Sequence, residues 1–452
     1  MTDFTTQSAE SRQPDTGAGA IKDALERVSI TAVVLFLGIL IGALIVTYKL
    51  PTYDMLRRAF VGYNALVDRY WITTMRGPYV RDIWAWTRHE ESGVLRHDEG
   101  QAYAGYTLYT SGHKPAAYLV SMSGEVVQEW SLPFREAWPD APHVPNPVPD
   151  DQIVWRAAQA LPNGDLIVIG IGVGDTPYGY GLMKLDKDSN LVWRYDDNAH
   201  HDLDIADDGR VYVLTHRIRQ EPIARHKGIR PPILEDFVAV LSPDGRELKK
   251  LSVLDALMNS PYGRLLDHTS DDTKGDLLHA NSVDVLSPAM ARAFPFARPG
   301  QVLISLRRPH ALVILDLETE KVTWARTGYW RGQHDAEFLP NGRILLFDNN
   351  GHYEDGGPSR LLEIDPQDLS IDWSYAGSRD EPFFSRIRSR QQRLANGNTL
   401  ITESDGARLI EVTSGGEIVW EFVNPVRAKE GRLTAVIMGG HRYAMDELPF
   451  LR

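Results

Sequence analysis

The chain contains no cysteine, which removes disulfide frameworks, thiolate zinc sites and cysteine nucleophiles from consideration. It also lacks a basic surplus. Its 48 Lys and Arg stand against 61 Asp and Glu, a formal charge of −13. Phosphate backbones are bound by clustered cations, so a nucleic-acid partner is excluded. Long apolar runs are scarce as well: there is one, Ser29 to Tyr48. At ~1.5 Å rise per residue, a charge-free run of about 20 residues crosses a ~30 Å hydrocarbon core as a helix. A long mixed-charge leader precedes it and Tyr48-Lys49-Leu50-Pro51 follows it, unlike the short basic leader and small-residue cleavage site of a signal peptide. The reading is one uncleaved, single-pass membrane helix.

What is present is ordinary for a folded protein, with 43% hydrophobic and 24% charged residues over 452 positions. Residues 1–28 read as a disordered leader, 29–48 as the transmembrane helix and 49–100 as a membrane-proximal helical linker. Within that linker Leu56, Phe60, Tyr63, Leu66, Val67, Tyr70 and Trp71 recur at three- and four-residue spacing, the stripe of a short amphipathic helix. Arg12, Lys22 and Arg27 on one side of the span balance Lys49, Arg57 and Arg58 on the other, so charge alone does not orient it.

From about Gly105 to Glu421 the chain repeats itself. An apolar strand, a Gly, Asn or Asp turn and a second strand usually ending in Trp occur as AYLVSMSGEVVQEW, GLMKLDKDSNLVW, FVAVLSPDGRELKK, LVILDLETEKVTW, LLEIDPQDLSIDW and LIEVTSGGEIVW. Alternating apolar and polar residues about such a turn indicate a half-buried β-hairpin. The Trp reads as packing between neighbouring units. Most copies are preceded by another strand pair about a glycine turn, at Gly164, Gly209, Gly342 and Gly397. Four strands per unit and six units predict an all-β, six-bladed β-propeller. It is placed at 101–430, with 431–452 as a C-terminal closing segment and an insertion between Thr215 and Phe237.

Aligning the repeats on their turn glycines brings candidate chemistry into register. His334 lies eight residues before Gly342 and His201 eight before Gly209. His279 in HANSVDVL is assigned the matching place by apolar pattern, while Arg156 and Ser389 take it in two further units. Three imidazoles facing one channel suit a nucleophile, a general acid or base, or a metal ligand near neutral pH. Strand alternation lets only one of His200 and His201 face the channel, and register selects His201. His89, His216 and His441 read as hydrogen-bonded strand residues, Asn349 and Asn350 as turn residues, and Asp202 and Asp335 as contacts between blades.

The motifs GYTLYTSG, HHDLDIADDG, LHANSVDVL, ISLRRPHALVILD, GQHDAEFLPNGRILLFDNNG, QQRLANGNTLITES and GHRYAMDELPFL, in that order, resemble the bacterial arylsulfotransferase family. The resemblance implies a six-bladed propeller on the periplasmic or extracellular side of the inner membrane. It implies transfer of a sulfuryl group from a phenolic sulfate ester to a phenol through a sulfohistidine, with no nucleotide sulfate donor and no cofactor. By this resemblance His334 becomes sulfated, and His201, His279, Asn281 and Arg307 hold the sulfate and move protons. Arg156 joins them as a substrate-binding candidate from the register, and Arg308 reads as a solvated charge. No metal is assigned, because Arg307 would repel a cation. The expected partners are a small phenolic or aryl-sulfate substrate and the membrane through residues 29–48. A noncatalytic propeller docked to other membrane-complex subunits, or a homo-oligomer, is the alternative; a quinoprotein-type dehydrogenase disagrees with six repeats.

Overall fold

The computed structural model describes residues 18–48, 50, 52, 83–223, 229–268, 275–352 and 359–452. The chain divides into an N-terminal unit, Met1–Tyr79, and a second unit, Val80–Arg452. In the first, a single helix runs from Ala18 to Thr47. It begins eleven residues ahead of the apolar run, so residues 18–28 are helical rather than disordered. Ala, Leu, Lys, Glu and Arg dominate the segment that follows Ala18, and all favour helix. Val28–Ile45 is long and apolar enough to cross a membrane, and none of it is buried. The amphipathic stripe expected at Leu56 to Trp71 lies outside the described residues.

The second unit is a six-bladed β-propeller. Five antiparallel sheets of four strands and one of five form the blades, and every innermost strand touches the innermost strand of the next blade around the ring. Blade I joins Ile437–Ala444, from the C-terminus, to Gly105–Ser111, Ala116–Val120 and Val126–Ser131. Blade II spans Ile153–Ala160 to Leu191–Tyr195, blade III Ala199–Ile205 to Glu247–Ser252, and blade IV Ala280–Val285 to Lys321–Thr327. Blade V spans His334–Phe338 to Ile371–Ala376, and blade VI Arg390–Arg393 to Ile418–Val423. The ring is therefore closed by hydrogen bonds between the two ends of the unit, which protects the strand edges.

Two stretches placed in the helical linker are strands. Gly93–His97 adds a fifth strand to the outside of blade VI, and Trp84–Trp86 pairs with Leu433–Ala435. Both satisfy their backbone groups on edges supplied by distant sequence, a signal no local pattern carries. The segment between Thr215 and Phe237 is also more regular than an inserted loop. Its described parts extend the central hairpin of blade III, with His216 opposite Asp236 and Arg219 opposite Ile233.

The repeated glycines explain the hairpins. Gly164, Gly209, Gly342 and Gly397 sit at φ of +89°, +81°, +82° and +89°, a left-handed conformation that costs other residues because of their Cβ. The terminal tryptophans wedge the blades together. The indole N–H groups of Trp130, Trp193, Trp373 and Trp420 donate to the carbonyls of Gly164, Pro243, Ser414 and Met122, each in the next blade. Trp130 and Trp420 are fully buried, where truncation to Ala costs about 3–5 kcal/mol.

The innermost strands are latched by side chains. The Asp202 carboxylate accepts from the Val283 N–H at 3.0 Å, Ser282 Oγ from Ala336 at 3.1 Å and Asp335 from Gln391 at 2.8 Å. Asp204 and Asp284 repeat the pattern two residues on, at Val285 and Phe338. Arg390 bridges Asp202 and Asp335 across the channel at 2.7 and 3.1 Å. These bonds define which residues of successive blades are equivalent, and so where the site residues fall.

Candidate active site

Matching the latches places His201, Asn281, His334 and Ser389 at the same position of blades III to VI. His279 stands two residues earlier than the position the apolar pattern assigned it. It still reaches the channel, because its backbone is left-handed at φ +51° and the strand that follows is bulged between Ala280 and Ser282. Asn281 occupies the register position but does not line the cavity; its side-chain amide donates to the Gln333 carbonyl at 2.8 Å. The bulge turns it toward blade V, where it fixes the residue before His334. Its amide thus makes a contact between blades IV and V.

A cavity of about 240 Å³ opens at the channel mouth, lined by Arg156, Tyr178, His201, His279, Arg307, His334 and Arg388, with Ile171, Val173 and Ile387 as its apolar wall. Its volume and its mixture of flat apolar surface with cations suit a small aromatic anion. His201 and His279 have ring centroids 4.9 Å apart, and His201 and His334 6.5 Å.

His334 has its tautomer set by its neighbours. Its Nδ1 lies 2.8 Å from Asn349 Oδ1 and 3.0 Å from the Gly332 carbonyl, two acceptors, so Nδ1 carries the proton. The orientation of the Asn349 amide follows from its nitrogen, which donates to the carbonyls of Ser385 and Arg388 at 2.9 and 3.0 Å. On the other side the Arg388 backbone N–H donates to His334 Nε2 at 3.3 Å, which requires a lone pair there. Burial, with Arg307 and Arg156 nearby, holds this imidazole well below its usual value, against the Asn349 hydrogen bond. The ring is neutral at physiological pH, as a nucleophile must be.

His279 differs in kind. Its Nδ1 is 2.5 Å from the Asp276 carboxylate. Burial opposes ionisation of Asp276, yet His279 and Arg308 keep its pKa below the ordinary carboxylate value. Arg308, read as solvated, sits 3.8 Å from this carboxylate. Arg307 lines the cavity as expected, and its buried Nε has no hydrogen-bond partner among the described residues. Arg156 donates to the Met438 carbonyl at 2.5 Å; burial beside Arg388 and Arg390 draws it down to about 9, still cationic near neutrality.

Three contributors escaped the sequence reading. Asn349, read as a turn residue, is buried and orients His334. Tyr178 packs edge-on against His201 with its hydroxyl 3.3 Å from Nδ1. Arg388 precedes the register position of Ser389 and lines the cavity. Asn349 carried one usable signal, its position fifteen residues after His334 in the adjacent strand end, which pairing across a hairpin brings close.

Residues 157–425 match the arylsulfotransferase (ASST) family. The chain belongs to this family. Among solved structures, this arylsulfotransferase-family chain is similar to a protein of unknown function from Bacteroides caccae, at 13% identity, with 73% of this chain and 97% of that one covered and a TM-score of 0.47. It is also similar to a catalytically inactive virginiamycin B lyase from Staphylococcus aureus, at 10% identity with 74% and 88% covered and a TM-score of 0.38. The WD40 β-propeller domain of Doa1 matches at 9% identity, with 79% and 96% covered and a TM-score of 0.40. No curated protein matches it. Family membership agrees with the aryl-sulfate and phenol chemistry that the cations and apolar wall of the cavity favour.

Among the described residues, one group of His and acidic side chains has ligand atoms within 4.8 Å of one another: His200, His216 and Asp236, all buried behind the cavity. The two rings are stacked, with centroids 4.3 Å apart and planes at 20°. The Gly179 N–H donates to His216 Nε2 at 3.1 Å, while His200 Nε2, His216 Nδ1 and Asp236 Oδ1 have no hydrogen-bond partner among the described residues.

Proposed function

We propose that this protein is a membrane-anchored aryl-sulfate sulfotransferase that works through a sulfohistidine at His334. The observation that carries the reading is the fixed His334 tautomer: Nδ1–H held by Asn349 and Gly332, and the Nε2 lone pair, which the Arg388 N–H meets at 3.3 Å and an attack on sulfur must displace, at a cation-lined cavity. In the first stage Nε2 attacks the sulfur of an aryl sulfate. The N–S bond forms as the S–O bond to the ring breaks, and the departing phenolate takes a proton from His279, which Asp276 contacts through Nδ1. Arg307 and Arg156 offset the charge on the sulfuryl oxygens, a task for which the guanidinium fork is well shaped. In the second stage a phenol gives its proton to His279 as its oxygen attacks the same sulfur, the N–S bond breaks, and both histidines return to their starting states.

The helix Val28–Ile45 supports a membrane anchor, and placing the propeller on the periplasmic or extracellular side of the bacterial inner membrane rests on the family resemblance alone. The test of the catalytic reading is incubation of purified protein with nitrophenyl sulfate, with and without a phenol, beside His334→Ala. Acceptor-dependent nitrophenol release and a sulfuryl mass on His334, both absent in the variant, are expected. Full activity in His334→Ala would refute the assignment.

A further inference from the structure

Behind the cavity wall, blade III gathers three ligand atoms that have no partners. His200 and His216 are 0% exposed and Asp236 1%. They come from three adjacent strands, with His216 opposite Asp236. We propose that His200 Nε2, His216 Nδ1 and Asp236 Oδ1 bind one divalent first-row transition ion, zinc in the first place, and that the ion braces the wall of the cavity. The residues that line the cavity do not include these three, so the site is separate from the channel histidines.

All three atoms are buried with no hydrogen-bond partner among the described residues, a state that folded proteins rarely leave without a cause. Distance separates the causes. His200 Nε2 lies 3.4 Å from Asp236 Oδ1, beyond the ~2.7–3.2 Å of an N–H···O hydrogen bond. The same distance is too short for two atoms sharing one water, whose tetrahedral partners at ~2.8 Å stand about 4.5 Å apart. Two ligands held ~2.0–2.1 Å from a tetrahedral ion stand about 3.3 Å apart. One ligand atom from each residue lies within 4.8 Å of the other two. The rings of His200 and His216 are 20° from parallel, and a ring lone pair lies in its own plane, so closing on the ion tips one ring toward the other.

The surrounding hydrogen bonds assign the protons. The Gly179 N–H donates to His216 Nε2 at 3.1 Å, so the neutral ring carries its proton on Nδ1. The ion replaces that proton: the metal–nitrogen bond forms as the N–H bond breaks, and the proton leaves to solvent. His216 then ligates as imidazolate, with the Gly179 N–H facing the charge on Nε2. His200 ligates neutral through Nε2, its proton on Nδ1 shared with Nδ1 of His201 at 2.8 Å. One divalent ion, one imidazolate, one carboxylate and one neutral imidazole sum to zero charge, as a site closed to water requires. Imidazole and carboxylate donors suit zinc, copper or nickel. What the ion holds follows from its neighbours. His200 precedes His201, the Gly179 that meets His216 follows Tyr178, and Asp236 Oδ2 accepts at 3.0 Å from the N–H of Ala280, which follows His279. Its role is to position the cavity wall, without contact to substrate.

The test uses the full-length protein in detergent, stripped with a chelator and reloaded with zinc. Wild type should retain about one equivalent per chain through gel filtration, measured by elemental mass spectrometry. Asp236→Asn, whose amide oxygen still accepts from Ala280, and His216→Asn should each retain less than about a tenth of that, with near-UV circular dichroism showing that they are folded. Cobalt in place of zinc should give the strong visible absorption of a four-coordinate site in wild type and lose it in both variants. Chelation should lower the wild-type melting temperature by about 3 °C or more and leave Asp236→Asn unmoved. His334→Ala should keep its equivalent, because it supplies no ligand. Wild type that holds no zinc, cobalt, nickel or copper after loading would overturn the site, and this reading decides even where a variant fails to fold. So would an equivalent retained equally by Asp236→Asn and His216→Asn, or one lost in His334→Ala but kept in Asp236→Asn, which would move the ion to the channel histidines. None of these readouts involves sulfuryl transfer, so the site and the function proposed above fail separately.

Discussion

The Asn349 side-chain oxygen sits 2.8 Å from Nδ1 of His334, and this contact, made between the two ends of the first hairpin of blade V, decides which nitrogen meets the substrate. Removing it leaves Nδ1–H with only the Gly332 carbonyl and lets the ring turn. Asn349→Ala should lower the rate of His334 loading about 10- to 100-fold, the equivalent of one buried hydrogen bond lost from the reactive geometry. Asn349→Asp should retain more activity than Asn349→Ala, because a carboxylate still accepts from Nδ1. Stopped-flow release of nitrophenol checks both. Equal rates in wild type and Asn349→Ala would show that Gly332 alone suffices.

Arg307 has a buried Nε with no partner among the described residues, in a cavity wall. A guanidinium left in this state is useful when an oxyanion arrives to satisfy it. Arg307→Lys keeps the charge but loses the fork, and should reduce kcat/KM for an aryl sulfate by about 10- to 100-fold. Arg307→Gln should cost about 10²–10³-fold, the range seen when a donor to developing negative charge is removed. Steady-state kinetics on the two variants separate charge from geometry.

Much of this arrangement was legible before any coordinates, and the exceptions have physical causes. The blades announced themselves because period-two alternation, glycine turns and terminal tryptophans are local signals, each enforced within a dozen residues. His201 and His334 take equivalent positions because each stands eight residues before an intact turn glycine, with a bulge in both strands. His279 stands two residues off because an interrupted turn removed the reference point and left the apolar pattern alone to set its register. Asn349 was hidden by chemistry: Asn in a DNNG string is a turn former first, and its bond to His334 depends on pairing across a hairpin. The strands Gly93–His97 and Trp84–Trp86 depend on partners more than 300 residues away, which no local pattern encodes.

The carboxylates beneath the site make stability depend on pH. Burial pushes Glu337 up to about 8, with the nearby Asp335 adding to the effect, and burial raises Asp335 and Asp204 to about 6. A carboxyl whose folded pKa exceeds its unfolded value binds more protons when folded. Its contribution is full below the unfolded pKa and is lost as pH rises through the folded one. Wild-type thermal stability should therefore fall between about pH 4.5 and pH 8. Glu337→Gln, which resembles the protonated acid, should flatten that fall and be more stable than wild type at pH 9 by about 1 kcal/mol or more, since a buried unpaired charge is costly. Melting curves at pH 5, 7 and 9 give the slope. A variant whose melting temperature drops as steeply as wild type would show that Glu337 does not control it.

Ring closure rests on the last strand, and Arg442 is its most heavily bonded side chain. It is fully buried, pairs with Glu411 of blade VI at 3.1 Å and donates to Thr107 Oγ1 at 2.6 Å within blade I. The pair therefore ties the C-terminal strand both to its own blade and to the neighbour across the closure. Removing one partner leaves a buried charge uncompensated, which costs about 3–5 kcal/mol, whereas replacing both with apolar groups can be nearly neutral. Arg442→Met should destabilise the propeller by that amount and open blade I first, with amide exchange rising in Ile437–Ala444 and Gly105–Ser111 before other blades. Arg442→Met combined with Glu411→Leu should recover a large part of the loss. Tyr103 N–H and the Asn398 amide also donate to Glu411, so recovery will stop short of wild type. A double variant no more stable than Arg442→Met would mean that the strand is held by packing and backbone pairing alone.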